Sequence, residues 1–338
     1  MNRFPRTKMR VAVSVAVVAS LAAASSACSS SQAGAPGKIR YAIASDQAPY
    51  WPLYIGEDQG FFAKNGVNIE ISRTQSGSGA DLVQLLAAGA ADMAGGLPDP
   101  VIAAVAHGAK LRVLNDTGPA PYALVLRTGL TSVSQLGSLG GNAKIAVSSI
   151  TTATAPVAEK MLSDAGVDRS KYDFVVAGGS SDRLAAVMTN TVDAAVMLQP
   201  YDFTAEGKGL KVPAYSPDSV PDYGSTEQTT VDFESKNCDT LRKYYNALRE
   251  IHTWFMDSKN KDAAIAILAK HTGVTDAIAA QTYELYVTKV RPGVNDPTKA
   301  VETTTQLLID SGNLKPADKP GSDLVSTKCV ASSGNGGN

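Results

Sequence analysis

The sequence predicts an α/β fold with two similar lobes and a ligand cleft between them. Three observations predict this fold. Short apolar strands alternate with helical segments along most of the chain, one segment recurs later in the chain, and two breaks, one rich in Pro and Gly and one rich in Pro and Asp, resemble hinges. The breaks lie at 118–121 and 216–224. With 338 residues, 44% of them hydrophobic, the chain is long enough to bury the cores of two domains.

The recurring segment spans residues 77–97 and appears again at residues 178–198, at a constant offset of 101. Each copy has a Gly/Ser-rich loop, an apolar helical run, a helix-ending residue and a short strand. The helix-ending residues are Gly89 and Asn190, the two residue types that best tolerate a left-handed backbone. The identities are Gly77/Gly178, Asp81/Asp182, Asp92/Asp193, Ala94/Ala195 and Leu97/Leu198. Two such βαβ units predict two similar lobes; chance similarity in an Ala-rich chain is the alternative.

Period-two alternation predicts strands, and apolar residues at helical spacing predict helices. The predicted strands cover residues 38–44, 67–71, 92–96, 111–114, 122–127, 143–147, 172–177, 211–215 and 229–233. The predicted helices cover residues 52–63, 81–88, 98–106 or 100–106, 131–136, 153–165, 241–255, 263–270, 277–287 and 299–311, and the second copy of the repeat adds one helix and one strand. This alternation predicts mostly parallel sheets with helices on both faces.

The N-terminus carries four bases and no acid in its first ten residues, followed by an apolar run over 11–24. That run is too short to span a bilayer, which takes about 20 residues. The segment ends in Ala24–Ser29 and resembles a bacterial lipoprotein signal, which implies lipidation, including palmitate, at Cys28. Ser25 departs from the Leu usual in that motif; secretion with cleavage after Ala35 is the alternative. Either reading predicts an extracytoplasmic protein, and the first predicts an anchor in the cell membrane.

Charge and cysteine usage agree with export. The whole chain has formal charge −1, and without the four bases of the leader the remainder has −5. No basic stripe follows the leader, so nucleic-acid binding is not expected. Besides Cys28, the chain has Cys238 and Cys329, an even pair for which an exported protein favours a disulfide; two separate buried thiols are the alternative.

The chain resembles the substrate-binding proteins of ABC importers, and more narrowly their sulfonate, nitrate and thiamine-precursor branch. The resemblance rests on residues 48–54 (APYWPLY), 60–71 (GFFAKNGVNIEI) and 85–92 (LLAAGAAD), and on the helical tail from Leu241. It covers about residues 38 to 312.

The resemblance implies a periplasmic-binding-protein type II fold whose lobes close on a small ligand, with no chemistry done. The implied partners are that ligand, an ABC permease with its ATPase, and the membrane; a monomer is expected. The expected organisation is a signal peptide (1–27), a flexible tether (28–37), lobe 1 (38–119 and 219–330), lobe 2 (120–218) and a disordered tail (331–338).

Ligands in open α/β sheets lie beyond the carboxyl ends of the strands, so the loops there supply the candidate ligand-binding residues. The candidates are Asp46, Tyr50, Trp51, Ser76, Ser78, Asp99, Thr151, Thr152, Gln199 and Tyr201. Ser and Thr in loops that lead into helices favour an anion, held by backbone N–H groups and the helix dipole, although each hydroxyl is also an ordinary helix cap. Arg183 is the one basic residue near these loops.

Two acids and two aromatic residues point to a different ligand. Asp46 and Asp99 suit an amine or a hydroxyl group, and Tyr50 and Trp51 could either stack on a ligand or fasten the first helix to the core. The favoured ligand is a sulfonate or carboxylate. The alternatives are a thiamine-precursor-like nitrogen heterocycle, and a sensory lipoprotein that signals to a receptor.

Catalysis is not expected. A related branch of the fold makes the thiamine pyrimidine with a histidine, a cofactor and a Cys-rich motif, but here the three histidines are scattered and no Cys cluster occurs. Gly77-Ser78-Gly79 is too short a match to a nucleophile elbow. The sequence therefore predicts a binding protein with no cofactor and no metal.

Overall fold

Two five-stranded sheets organise the chain in a computed structural model that describes residues 37–74, 77–152 and 154–330. The strands are β1 (Lys38–Ile43), β2 (Asn68–Arg73), β3 (Met93–Gly96), β4 (Leu111–Pro119), β5 (Ala123–Leu126), β6 (Ala143–Val147), β7 (Tyr172–Val176), β8 (Ala194–Met197), β9 (Lys211–Tyr215) and β10 (Gly224–Thr230). The first sheet has the order β2-β1-β3-β10-β4, and the second has the order β7-β6-β8-β5-β9.

The two sheets have equivalent topologies. In each, the first three strands are parallel and the fourth, β10 or β5, is antiparallel to both neighbours. We call each sheet, with the helices packed on it, a lobe: the first lobe contains β1 and the second contains β6. The predicted two-lobed α/β fold is confirmed.

Helices connect the strands and cover the sheets. They are α1 (Trp51–Asp58), α2 (Phe61–Lys64), α3 (Gly79–Ala87), α4 (Asp99–Ala106), α5 (Thr154–Asp164), α6 (Ser180–Met188), α7 (Tyr201–Gly207), α8 (Ser216–Ser219), α9 (Val231–Lys236), α10 (Cys238–Met256), α11 (Lys261–Thr272), α12 (Asp276–Leu285) and α13 (Thr298–Asp310). The predicted apolar face of α10 is buried in the first lobe from Leu241 to Phe255.

The internal repeat is structural. Helices α3 and α6 each have nine residues, strands β3 and β8 each have four, and all four keep the offset of 101. Gly89 and Asn190 both adopt a left-handed backbone, with φ of 66° and 56°. Asp92 and Asp193 also share a role, because each carboxylate accepts the backbone N–H of the neighbouring strand, at 2.8 and 2.9 Å.

Several predicted elements differ in detail. The strand predicted over 111–114 extends to Pro119. The strand predicted over 229–233 begins at Gly224 and ends at Thr230, whose side chain accepts the Phe233 N–H at 3.0 Å and starts α9. The predicted helix over 52–63 is divided at Gly60, where φ of 73° separates α1 from α2. The short helix predicted at 131–136 is a 3₁₀ helix over Val133–Ser138.

The chain passes between the lobes after β4 and returns between β9 and β10. The predicted lobe boundaries, between 119 and 120 and between 218 and 219, lie in these connections and stay predictions. The signal peptide (1–27), Cys28, the tether up to residue 36 and the tail (331–338) lie outside the described residues. Within the described ranges, no single helix is long and apolar enough to cross a membrane, and one pair bent by 116° (Ser258–Thr272 with Asp276–Val290) meets that test jointly.

A disulfide holds the end of the described chain against α10. Cys238, the first residue of α10, is bonded to Cys329, with their Cα atoms 5.1 Å apart. Val325 forms a bridge to Val113 on β4, and Arg249 donates to the Val330 carbonyl. The bond thus closes a loop of 91 residues across the first lobe.

Replacing both Cys238 and Cys329 by Ala should lower the free energy of unfolding by roughly 2–5 kcal/mol, because the unfolded chain regains the freedom of that loop. Urea denaturation measures the loss. Wild-type protein unfolded under reducing conditions should show a similar midpoint, and a double variant as stable as the oxidised protein would show that the bond is not needed.

Candidate functional site

A cavity lies between the lobes and is lined by both. About 80 Å³ is accessible to the centres of water molecules, which leaves room for several waters or one small organic group. Loops at the carboxyl ends of β1, β3, β6 and β8 contribute to its walls, as expected for an α/β fold.

The first lobe provides a wall of aromatic, glycine and acidic residues. Tyr50 is almost buried, and its hydroxyl donates to the Gly95 carbonyl at 2.8 Å. A side chain at Gly95 would lie 2.7 Å from the Tyr41 hydroxyl, so glycine is needed for this approach. Asp99, at the start of α4, and Glu227, on β10, also line the cavity.

The second lobe contributes a buried cation. Arg183, on α6, lines the cavity and is only 3% exposed. Its Nε donates to the Val196 carbonyl at 2.5 Å, its Nη1 to the Gly178 carbonyl, and its Nη2 to Ser180 Oγ at 3.1 Å. Burial lowers the pKa of the guanidinium, but an arginine stays charged in a protein. Among the described residues no carboxylate forms an ion pair with it.

Neutral acceptors do not cancel this charge. Burying an ion that lacks a counter-charge costs several kcal/mol even when its hydrogen bonds are made. Tyr122, Ser148 and Thr152 also line the cavity from the second lobe and offer hydroxyl groups. The second-lobe wall therefore suits a ligand group with negative charge and several acceptor atoms.

The lobes touch directly beside the cavity. The Ala48 N–H donates to the Gln199 carbonyl at 3.0 Å, and the Tyr201 hydroxyl donates to the Asp46 carbonyl at 3.4 Å. The two copies of the repeat also meet here, because a side chain at Gly77 would lie 3.0 Å from the Gly179 Cα. These contacts need the lobes in a closed arrangement.

Three of the ten candidate ligand-binding residues line the cavity: Tyr50, Asp99 and Thr152. Ser76 lies outside the described residues. Ser78 caps α3 by accepting the Ala80 N–H at 3.2 Å, and exposed Thr151 bonds to Ser149 Oγ at 3.0 Å. Ser78 therefore acts as an ordinary helix cap, which was the alternative considered for the loop hydroxyls.

Two further candidates, Asp46 and Trp51, make contacts within the protein and do not line the cavity. The Asp46 carboxylate forms a bidentate pair with Arg73, at 2.6 and 2.8 Å, and accepts the Tyr54 hydroxyl at 2.9 Å. Trp51 is fully buried, donates to the Ala264 carbonyl at 2.9 Å and packs edge-on against Phe255. Of the two roles left open for Trp51, the structure shows the second: its indole fastens α1 to the core, and it does not line the cavity that would hold a ligand.

Gln199 and Tyr201 join the lobes instead of lining the cavity. Gln199 is fully buried, and its Nε2 donates to the Pro121 carbonyl at 2.8 Å and to Asp202 Oδ2 at 3.0 Å. Asp202 Oδ2 also accepts the Tyr215 hydroxyl at 3.0 Å, while its Oδ1 has no hydrogen-bond partner among the described residues. Burial raises the pKa of Asp202 to about 6.

Several polar cavity residues were not among the candidates, and three of them carry an acidic, basic or imidazole group: Arg183, Glu227 and His252. Arg183 had a visible signal, since it is the one base beside the expected cleft loops. Glu227 lies in the run GSTEQTT over 224–230, which is buried except at its last residue although every residue is polar or glycine. His252 lies on α10, far along the chain from any cleft loop, and gives no such signal.

One group of side chains has the donors of a metal site. Ligand atoms of Glu57, Asp58 and His271 lie within 4.8 Å of one another, outside the cavity. Lys270 already donates to both oxygens of Asp58 at 2.8 Å, and its ammonium supplies the positive charge that a metal would bring. We therefore assign no metal to this group.

A family model described as "NMT1/THI5 like" matches residues 47–260, more than half of the chain. The chain belongs to the NMT1/THI5-like family. No curated protein sequence matches the chain. Membership of this family agrees with the resemblance drawn from residues 48–71 and 85–92.

Solved structures share the fold of this family member at low identity. The ligand-binding component of an ABC-type import system from Staphylococcus aureus, with zinc bound, is 12% identical with a TM-score of 0.74, covering 87% of this chain and 97% of that one. The alkanesulfonate-binding protein SsuA from Xanthomonas axonopodis pv. citri, bound to MOPS, is 16% identical with a TM-score of 0.70, covering 87% and 99%. The nitrate-binding protein NrtA from Synechocystis PCC 6803 is 14% identical with a TM-score of 0.71, covering 84% of each chain.

The contact between Gly77 and Gly179 can be tested with a matched pair of variants. Gly77 and Gly89 have the same φ of 66°, but a side chain at Gly89 would meet nothing within 4 Å. Both Gly→Ala variants should lose about 1–2 kcal/mol of stability from the left-handed strain. Only Gly77→Ala should also increase the radius of gyration in small-angle scattering, because its methyl group separates the lobes; equal radii for the two variants would contradict this.

Asp202 predicts a pH dependence of stability. Its carboxyl has a folded pKa of about 6, above the ~3.9 of an unfolded chain, so the folded protein holds the proton more tightly. The contribution of Asp202 to the free energy of unfolding of the wild type therefore falls as the pH rises from about 4 through 6. Asp202→Asn should unfold with a free energy on the order of 1–3 kcal/mol higher than wild type at pH 7.5, and the gain should shrink towards pH 4. A difference that stays constant with pH would contradict it.

Proposed function

We propose that this protein is the solute-binding component of an ABC importer that captures a small sulfonate or carboxylate between its lobes. It delivers the ligand to a membrane permease driven by an ATPase, works outside the cytoplasm as a monomer held by a lipid on Cys28, and catalyses no reaction. The basic and apolar residues of 1–28 support export and anchoring.

Arg183 is the observation that carries the ligand proposal. An acidic group on the ligand would supply the counter-charge that this buried cation lacks among the described residues. Charge-assisted hydrogen bonds from a guanidinium are about twice as strong as neutral ones, so the acid would favour the closed lobes. Hydroxyl groups of Ser148 and Thr152 and the N-terminus of α3, where Gly79 lines the cavity, add further donors.

The structural neighbours also favour an anionic ligand. Two of them are an alkanesulfonate-binding protein and a nitrate-binding protein, and both ligands are anions. Both are binding proteins by name, which supports a non-catalytic role here. Their identity to this chain is below 20%, so the choice of ligand rests on the cavity itself.

A nitrogen heterocycle is the second candidate ligand. Tyr50 and Asp99 both line the cavity, and together they offer an aromatic edge and a carboxylate for a ring with an amino group. Asp46 and Trp51, which were also expected to favour this ligand, make other contacts. The heterocycle therefore has fewer contacts available than an anion.

A thermal-shift panel on residues 38–338 distinguishes the two. It contains alkanesulfonates, aromatic carboxylates, nitrate, pyrimidines and the uncharged amide of each carboxylate. A ligand present at 100 times its Kd should stabilise the protein by ~2.7 kcal/mol, a shift of several degrees. We expect shifts from acids and none from their amides. Shifts from pyrimidines alone would favour the heterocycle, and no shift at all would leave the importer proposal without a ligand.

Variants then separate a cavity effect from a general charge effect. Arg183→Gln should abolish the shift from acids, whereas Arg183→Lys should keep part of it because the charge is retained without the planar guanidinium. The matched control is Arg169→Gln, which removes an exposed arginine of the same lobe that does not line the cavity. An equal loss for Arg169→Gln would contradict a specific role for Arg183.

A further inference from the structure

Gln199 connects the two lobes and the chain segment that joins them. Its backbone carbonyl accepts the Ala48 N–H of the first lobe at 3.0 Å. Its side-chain Nε2 donates to the Pro121 carbonyl at 2.8 Å, on the connection between the lobes, and to Asp202 Oδ2 at 3.0 Å, on α7 of the second lobe. A change at the Gln199 side chain therefore acts on the contact between the lobes and on their connection together.

Asp202 lies where α7 meets the first lobe. Helix α12 packs against α7, and Tyr286, directly after α12, lies beside Asp202. Burial and then the nearby Asp202 carboxylate raise the pKa of the Tyr286 hydroxyl. Tyr286 belongs to the first-lobe core, where its ring packs on Trp51 with the centroids 5.7 Å apart. Asp202 is fully buried at this contact, so separation of α7 from α12 would admit water to its carboxyl group.

The surroundings of Asp202 favour its neutral form while the lobes are in contact. Burial raises the pKa of the carboxyl to about 6, although Gln199, the Phe203 N–H and the Tyr215 hydroxyl donate to it. Gln199 Oε1 is also buried and has no hydrogen-bond partner in the part of the chain that the structure describes. A proton on the Asp202 carboxyl would supply the donor that this oxygen lacks.

No base of the described ranges forms an ion pair with Asp202. Tyr201 and Glu206 share its helix, Tyr215 faces it from β9, and Tyr286 faces it from the first lobe. The other titratable groups on the elements around α7 are Lys211, Asp182, Arg183, Asp276, Tyr283, Glu284 and Lys289. All of these except Arg183 and Tyr283 are exposed, so solvent screens their charges.

We propose that Asp202 is a proton-operated latch for lobe closure, whose carboxyl takes up a proton when the lobes close and releases it when they open. In the open arrangement water solvates the carboxylate, which favours the charged form. In the closed arrangement the neutral carboxyl holds Gln199 in the position from which its carbonyl meets Ala48. Closure is therefore stronger at low pH. The latch does not rest on the proposed function, but under that function it would tighten the binding of any ligand as the pH falls.

A purely structural role at this position is met equally well by asparagine. The side-chain carbonyl of asparagine would accept from Gln199 and Tyr215, and its amide would offer Gln199 Oε1 a donor without a proton from solvent. Aspartate adds one property that asparagine lacks, which is a charge that appears as the pH rises. Asp202→Asn is therefore the variant in which the latch is always engaged.

Hydrogen exchange of the Ala48 amide, followed by NMR in ligand-free protein, measures the latch because its hydrogen bond crosses between the lobes. The reference is the Asp193 amide, which donates to the Lys144 carbonyl at 2.8 Å within the second lobe. Protection, corrected for the intrinsic exchange rate at each pH, should be weaker at Ala48 than at Asp193, since the lobes separate without unfolding. From pH 7.5 to pH 5 the protection at Ala48 should rise about tenfold, because the carboxyl has a pKa of about 6 when closed and ~3.9 when solvated.

Variants assign the effect to Asp202. Asp202→Asn should protect Ala48 to the same high degree at both pH values. Asp116→Asn is the matched control and should keep the tenfold change: it removes another aspartate, whose pKa burial raises to about 6 and which accepts the Gly118 N–H at 2.9 Å in the first lobe.

Four outcomes would overturn the latch. They are equal protection of Ala48 and Asp193 in the wild type, protection of Ala48 that does not change with pH, a pH dependence that survives Asp202→Asn, and a pH dependence that is lost in Asp116→Asn. The test contains no ligand, so its failure leaves the proposed function standing. Failure of every acid in the thermal-shift panel would likewise leave the latch standing.

Discussion

The first lobe and its part of the cavity depend on the pairing of strand β10 with its two neighbours in the sheet. This strand returns the chain from the second lobe, lies between β3 and β4, and is antiparallel to both. Six of its seven residues are buried and none is apolar, so its side chains must be satisfied by hydrogen bonds. Thr229 donates to the Asp92 carbonyl at 2.6 Å and Thr226 to the Gly96 carbonyl at 3.1 Å. Without β10, the sheet would divide between β3 and β4.

The equivalent strand of the second lobe has the opposite chemistry. Strand β5 occupies the same place in its sheet, but its sequence ALVL is entirely apolar and fully buried. The repeat therefore preserves topology and helix-ending geometry but not the charge of the strand that crosses between lobes. Glu227, one of the two acids of the first-lobe wall, lies on β10, whereas Arg183 of the second lobe lies on α6. The two lobes share one topology, but the cavity walls that they provide differ in chemistry.

The sequence was sufficient for most of the framework because local patterns determine it. Alternation, helical spacing and the residues Gly89 and Asn190 are properties of short segments, and the structure preserves them. The cavity wall depends instead on contacts between distant segments. Asp46 pairs with Arg73 from the next strand, and Trp51 meets helices more than two hundred residues later. No pattern near Asp46 or Trp51 could have excluded them as ligand contacts.

The same reasoning explains why Arg183 and Glu227 were missed. A base is usually assigned to the surface and an acid in a strand to its solvent side, because burial of either ion is costly. In this protein both are buried beside one cavity, on different lobes, and each is held by neutral groups. Under the proposed function, an acidic ligand group would offset part of the cost of burying Arg183. Both lobes line the cavity, so under the proposed function a ligand held there would contact both of them at once, and those shared contacts would favour the closed arrangement.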